Sequence, residues 1–396
     1  MVKTTEIYYE DAYIDEFDAT VTSCAEGDKG NFFVCLDRTC FFPEQGGQTP
    51  DIGEIVDEAG TTHKVSYVSV SDGIVTHVID GAIPEGTKVH GRIDWAHRFG
   101  NMQQHTGEHI FSGIVHSLFG YDNVGFHLSD AEVTMDYNGP LSPADIDMVE
   151  LKANEVIWKN LEVLCCFPSD EELAGMDYRS KKELTGDIRI VTIPGVDICA
   201  CCAPHVTRTG EIGILKVIKT QNYKGGIRVN ILCGKRALEY IRQDQKVVSD
   251  LTNLLTTGRD RLKDSVGKMS DDIYALKGQA ASLREKLLTY ELSEIDPNLK
   301  DVFLIKEEGL DQTLLRNTVN GLCASHSGFC GVFSGSDETG YKYVIAGGSD
   351  GLDASAVQAV LKNEFGARGG GSPAMVQGSL PAGIAISAVM DRCRNL

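Results

Sequence analysis

Short apolar runs separated by turn residues dominate the first quarter of the chain. The runs at 31–36, 62–70 and 73–79 alternate with Gly, Asp and Pro, the pattern of short strands joined by tight turns. Residues 1–95 are therefore predicted to form an all-β unit, a small barrel or sandwich. The period then changes. From Asp94, an N-cap type of residue, Phe99, Met102, Ile110, Ile114 and Leu118 keep to one broad helical face until Gly120, which predicts a helix over 94–119. Mixed patterns follow: a strand over 131–137, a helix over 143–160, and strands over 188–193 and 212–220.

From Leu238 to Tyr290 the period changes again. Ile241, Val248, Leu255, Leu262, Met269, Leu276, Leu283 and Tyr290 recur every seventh residue, and Val266, Ile273, Ala280 and Leu287 add a second row. Two such rows make the seam of a coiled coil. No proline interrupts between Pro204 and Pro297. Gly258 and Gly267 weaken the middle, so the helical arm runs either unbroken or as two helices parted near Thr256–Gly258. The last hundred residues return to alternating strands and helices, and 368–373 (Arg-Gly-Gly-Gly-Ser-Pro) reads as a loop almost without side chains. The fold class expected is α+β. It divides into a small β-barrel over 1–95, an α/β domain over 96–235, a helical coiled-coil arm over 236–295 and a C-terminal α/β domain over 296–396.

The 396 residues are 42% hydrophobic and 24% charged, an ordinary soluble composition. No apolar run approaches the roughly 18 residues of a membrane helix, and no membrane partner is expected. Acidic and aromatic residues follow the first six positions where a signal peptide would have an apolar core, so a cytosolic protein is expected. A net charge of -20 argues against a non-specific nucleic-acid binder, since phosphate contacts need Lys and Arg. Two local clusters remain as candidate RNA contacts: Arg179, Lys181 and Lys182, and Lys216, Lys219, Lys224 and Arg228.

Twelve cysteines in a reducing compartment read as buried small side chains or metal ligands. Packing suffices for Cys24, Cys35, Cys40, Cys323 and Cys330. Cys199, Cys201 and Cys202 crowd into four positions, in the run Cys-Ala-Cys-Cys-Ala-Pro-His ending at His205. Upstream, His105 and His109 lie four apart in the predicted helix, so both imidazoles reach one ion from one face. Thiolate and imidazole ligands favour zinc over magnesium or calcium. His105, His109, Cys201 and His205 form the preferred set, with Cys199 or Cys202 as substitutes for Cys201 that spacing does not separate. His116 is expected at the surface. The same helix also fits H-x-x-E-H, the inverted zinc-peptidase pattern with Glu108 as general base, although a Cys/His pair stands where that class uses a carboxylate ligand.

These segments resemble a known family. Phe41-Phe42-Pro43-Glu44-Gln45-Gly46-Gly47-Gln48, followed by Asp51 and Gly53, is similar to the glycine-rich loop of the alanyl-tRNA synthetase editing domain. The His105/His109 and Cys201/His205 pairs follow in that family's order, and Thr209-Gly210-Glu211-Ile212-Gly213 continues the likeness. The long, free-standing AlaX-type alanyl-tRNA editing proteins resemble this arrangement over nearly the whole chain. The unit bearing Gly369-Gly370-Gly371 and Met375-Val376-Gln377 resembles the DHH-associated domain that ends alanyl-tRNA synthetases. Two departures stand out. Glu108 occupies a position where synthetase members often have a small or hydroxylated residue, and Cys201-Cys202-Ala203-Pro204-His205 replaces C-G-G-T-H.

The resemblance implies a trans-editing hydrolase that uses Zn2+ to cleave the ester between a wrong amino acid and tRNA for alanine. Seryl-tRNA, and also glycyl-tRNA, are the implied substrates. It implies substrate contacts at Gly46, Gly47, Gly369, Gly370 and Gly371, and a homodimer paired through the arm and C-terminal domain. Gln48 is the candidate to orient water or hold the terminal adenosine, and Glu108 a candidate general base. The alternatives are a non-catalytic tRNA-binding module with a structural zinc, the zinc peptidase, and a phosphodiesterase, which the missing Asp-His-His triplet disfavours. A synthetase is not expected, because the sequence starts in the barrel.

Overall fold

The computed structural model describes residues 3–27, 30–180, 187–306 and 309–396, so Lys181 and Lys182 of the first basic cluster lie outside the described residues. The architecture is mixed α+β, and the β-rich start closes into a barrel. Its six strands run in the order Glu16–Glu26, Phe32–Leu36, Ile74–Ile79, Thr62–Ser71, Gly53–Asp57 and Lys88–Ile93. Alternation explains the closure. In Lys88–Ile93 every second residue is buried, and the inward set includes Val21, Val34, Leu36, Ile55, Val65, Val68, Val75 and Ile79. Period-two burial of β-branched residues on one face fills a small barrel with side chains.

The helix Trp95–Phe119 leaves the barrel directly. Asp94 caps it by accepting from the His97 amide at 3.0 Å, and Gly120, at φ 70°, ends it in a left-handed cap. Both ends fall where the sequence places them, because caps are local signals. Its middle is buried all round, from Asn101 to Val115. One side packs on a four-stranded antiparallel sheet ordered Leu215–Tyr223, Gly226–Cys233, Val133–Tyr137 and Asn123–Leu128. Met102, Ile110, Phe111 and Val115 share one core there with Val133, Met135, Val229 and Ile231. A second antiparallel sheet, Leu164–Cys166, Ile190–Ile193 and Asp197–Ala200, carries the cysteine-rich segment at its last strand.

The chain divides into two compact units, Met1–Leu251 and Thr252–Leu396. The heptad-bearing stretch forms two helices, Gly234–Leu254 and Leu262–Ser293, with Thr256 between them at φ 49°. In the second unit a five-stranded sheet runs in the order Val302–Lys306, Phe329–Ser336, Gly340–Gly347, Met375–Leu380 and Arg368–Ser372. The helix Gln312–Cys323 contributes Leu315, Val319 and Leu322 to a core with Val332 and Val344. Ala354–Phe365 and Ile386–Arg394 contribute to another core, with Phe333 and Tyr343. The expected loop at 368–373 is instead an edge strand, Arg368–Ser372, paired residue for residue with Met375–Leu380. Glycine there permits close backbone approach: a Cβ on Gly369 or Gly371 would collide with the neighbouring strand.

Candidate metal centre and cleft

The helix Trp95–Phe119 brings His105 and His109 to one side, with ring centroids 5.6 Å apart. The segment leaving the strand Asp197–Ala200 turns back onto them. His205 then stands 5.0 Å from the His105 ring and 4.7 Å from the His109 ring. Cys201 Sγ lies 3.4 Å from Nε2 of both His105 and His205. One donor atom from each of His105, His109, Cys201 and His205 falls within 4.8 Å of all the others. Four bonds at the usual ~2.0 Å for nitrogen and ~2.3 Å for sulfur give a tetrahedral N···S edge of about 3.5 Å. The observed separations match that edge.

The outward nitrogens support this geometry. Nδ1 of His105 meets Gln48 Oε1 at 2.8 Å, Nδ1 of His109 meets Asp197 Oδ2 at 3.0 Å, and Nδ1 of His205 meets Thr106 Oγ1 at 3.0 Å. An amide oxygen and a carboxylate only accept, so His105 and His109 donate Nδ1–H outward and turn Nε2 toward the centre. Outer partners of this kind fix ring orientation at metal sites. Burial alone raises the Cys201 thiol, yet the imidazoles of His105 and His205 overcome it and hold the thiol well below its ordinary value. Burial pushes His205 the opposite way, down to about 3. A bare thiolate beside three histidines is a donor set that fits zinc.

The other thiols are placed differently. Cys199 is buried beside His109 and Asp197, but both carboxylate oxygens of Asp197 are taken by Arg179, at 2.7 and 2.9 Å. Cys202 faces the glycine loop, where a Cβ on Gly46 would come within 3.0 Å of its sulfur, and burial pushes its thiol up to about 12. Cys201 is thus the thiol that the fold brings to His105 and His205.

A cleft of about 560 Å³ opens over this cluster, lined by Gly46, Gly47, Phe126, Arg189 and Cys202 together with His105, His109 and Cys201. Gly46 and Gly47 have φ of 64° and 83°, conformations that L side chains avoid. A Cβ on Gly47 would also lie 2.8 Å from the Phe126 carbonyl oxygen. Gln48 is buried behind this loop, and its Nε2 has no hydrogen-bond partner among the described residues. Glu108 is fully buried and does not line the cleft. Its Oε1 accepts from Ser112 at 2.7 Å and Asn123 at 2.6 Å, and its Oε2 is 3.8 Å from His109 Nε2. His116 is exposed and pairs with Asp122. Gly369, Gly370 and Gly371 belong to the second compact unit.

Four partners of the cluster escape a reading of spacing: Asp197, Arg179, Thr106 and Arg189. Thr106 is the one with a local signal, since it sits between the two histidines. The second basic cluster is partly neutralised, with Lys216 on Glu150 at 2.8 Å and Arg228 on Asp136 at 2.6 Å. Arg228 also lies 4.0 Å over the Tyr223 ring.

Residues 3–97 match the model for class II tRNA synthetases (A), and residues 188–230 match that for the threonyl and alanyl tRNA synthetase second additional domain. The alanyl-tRNA editing protein Aarsd1 of Danio rerio is 30% identical over 292 residues, covering 69% of this chain and 70% of that protein. The alanyl-tRNA editing protein AlaX-L of Pyrococcus horikoshii is 28% identical over 95% of this chain and 94% of its own length. An alanine–tRNA ligase of Ignicoccus hospitalis is 29% identical over 93% of this chain but only 40% of the ligase. The chain thus spans less than half the length of such ligases. It belongs to the alanyl-tRNA editing protein family.

Proposed function

We propose that this protein is a zinc-dependent hydrolase that deacylates mischarged tRNA for alanine in trans. The single observation that carries this reading is the inward-facing cluster of three imidazoles and one thiolate beneath a cleft lined by side-chain-free Gly46 and Gly47. A bound zinc supplies positive charge to hold the substrate's amino group, polarise the ester or activate water. His105, His109, Cys201 and His205 would hold it. Gln48 holds the His105 ring through its amide oxygen, a positioning role that suits its burial outside the cleft lining. Glu108 is proposed as an outer partner of the His109 side of the centre, since it is fully buried, does not line the cleft and accepts from Ser112 and Asn123.

Such an activity answers a physical limit. A pocket that accepts alanine cannot strongly reject amino acids differing by a hydroxyl or a methyl, so a second hydrolytic sieve is needed. Serine on tRNA for alanine is the proposed main substrate, with glycine as the second. The test is release of amino acid from serine-, glycine- and alanine-charged tRNA, with and without a chelator. We expect serine and glycine to be released, alanine to be spared, and chelation to stop the reaction. Binding of charged tRNA without release would favour the second reading, a structural zinc in a binding module. Its support is the count of four protein ligands, which closes a tetrahedral ion.

The proposed parts are the barrel to residue 95, the zinc editing domain over 96–235, the arm over 236–295 and the DHH-associated domain from 296. The cytosol is the proposed location. Gly369, Gly370 and Gly371 are proposed to touch the tRNA, and the arm to pair two chains. On Leu262–Ser293, the seam residues Val266, Met269, Ile273, Leu276, Leu283, Leu287 and Tyr290 are between 42% and 65% exposed. A self-complementary apolar row of this kind is covered most simply by its own copy. Leu276→Asp with Leu283→Asp is expected to convert a dimer to a monomer in sedimentation equilibrium. A wild-type chain that sediments as a monomer refutes the pairing.

A further inference from the structure

Arg189 lies at the edge of the cleft, before the strand Ile190–Ile193, and is only 7% exposed. Its side chain does not reach the ligand cluster itself. Nη1 donates instead to two backbone carbonyls of the ligand segment, Cys201 at 3.1 Å and Ala203 at 2.8 Å. The backbone closes the same loop from the other side, since the Cys201 amide donates to the Arg189 carbonyl at 3.0 Å. The loop is thus pinned at the residue that supplies the sulfur and again two residues later.

The guanidinium also rests over the Tyr9 ring, 5.5 Å from its centroid. Tyr9 belongs to the short turn Ile7–Tyr9 before the barrel, and its ring packs edge-on against Tyr8 at 4.6 Å. Tyr8 in turn meets Phe42, the start of the glycine-rich segment, and both share a buried cluster with Ala203. One side chain therefore refers the cysteine segment to the barrel's N-terminal turn. Arginine suits this task, because Nη1 alone bridges the two carbonyls while the planar guanidinium keeps its face on a ring. A lysine ammonium also carries its donors on one nitrogen but offers no flat face.

We infer that Arg189 is a positioning residue for the metal centre: it sets Cys201 Sγ at its place between His105 and His205 by bridging the Cys201 and Ala203 carbonyls against Tyr9. The inference rests on the zinc reading above. It differs from the role its location in the cleft wall first suggests, a cation for the substrate's phosphates.

The experiment follows zinc release from the full-length, zinc-loaded protein to a chromophoric chelator, for wild type, Arg189→Lys and Arg189→Met. Thiolate-to-metal absorption of the cobalt-substituted proteins is recorded in parallel. Loss of an outer partner of a metal site typically weakens it by about 10–100-fold. Arg189→Met should release zinc on the order of 10-fold faster and show a weakened or shifted thiolate band, with Arg189→Lys in between. Wild-type release and an unchanged band in folded Arg189→Met, with loss confined to KM for charged tRNA, would make Arg189 a substrate contact and overturn the inference. Should Arg189→Met not fold, Arg189→Lys decides: release at the wild-type rate overturns it. A wild-type protein that binds no zinc refutes the zinc reading instead, which keeps the two failures apart.

Discussion

Changing His105 and His109 together to Ala is expected to leave the protein without zinc and without the proposed deacylation activity. Two of four donors disappear, and both come from one element, the buried middle of the helix Trp95–Phe119. The remaining pair, Cys201 and His205, supplies only two donors, too few to close a tetrahedral site. Outer-partner changes already cost about 10–100-fold in metal affinity, and loss of two direct ligands must exceed that. Asp197→Asn gives the calibrating comparison. It leaves all four donors in place but removes the charge that fixes His109, so zinc affinity should fall within that same 10–100-fold range. Arg179 would lose its ion pair in the same variant. Elemental analysis of protein purified without chelator reads both changes. Near-stoichiometric zinc in the double histidine variant would eliminate the proposed centre.

Arg98→Met is expected to be the most destabilising single change in the first compact unit. Arg98 and Asp51 are both fully buried and form an ion pair in which Nε reaches the carboxylate at 3.0–3.1 Å. Arg98 Nη1 also donates to the Ala12 carbonyl at 2.9 Å, and Nη2 to that of Cys40. Asp51 accepts from the Phe42 amide at 2.6 Å. The pair ties both ends of the glycine-bearing loop, at Phe42 and Asp51, to the helix that carries His105 and His109. Removing one partner strands the other charge in the interior, which costs about 3–5 kcal/mol. At roughly 2–4 °C per kcal/mol for a unit of this size, the thermal midpoint should fall by about 6–20 °C. Asp51→Asn should fall in the same direction. The double change should cost less than the sum of the two, because the partners interact directly. A midpoint within 2 °C of wild type for Arg98→Met, an order-of-magnitude bound below the stated cost, would show that the pair does not anchor the loop.

Several parts of this protein are legible in the sequence because the signals are local. The ligand helix is set by Asp94 at one end, Gly120 at the other and an apolar period between them, and all three act within a few residues. His105 and His109 share a face for the same reason, since four residues is one helical turn. The barrel follows from short alternating strands, which can bury one face only by closing or stacking. The break near Thr256 is likewise visible, where glycine and helix-poor residues meet.

What the sequence by itself determined is therefore the β-barrel start, the ligand helix and the set of residue types able to hold zinc. Tertiary structure alone decided the rest. Which of the three thiols lies against His105 and His205 depends on how a segment some ninety residues downstream folds back, and neighbouring thiols in one run are equivalent until that happens. Asp197, Arg179 and Arg189 act through pairings across elements, which no spacing encodes. The strand Arg368–Ser372 shows the converse: three glycines carry a turn signal locally, yet pairing with Met375–Leu380 makes them extended. Hairpin pairing with the next strand overrides the single-residue turn preference where a neighbouring backbone needs the space that a side chain would take.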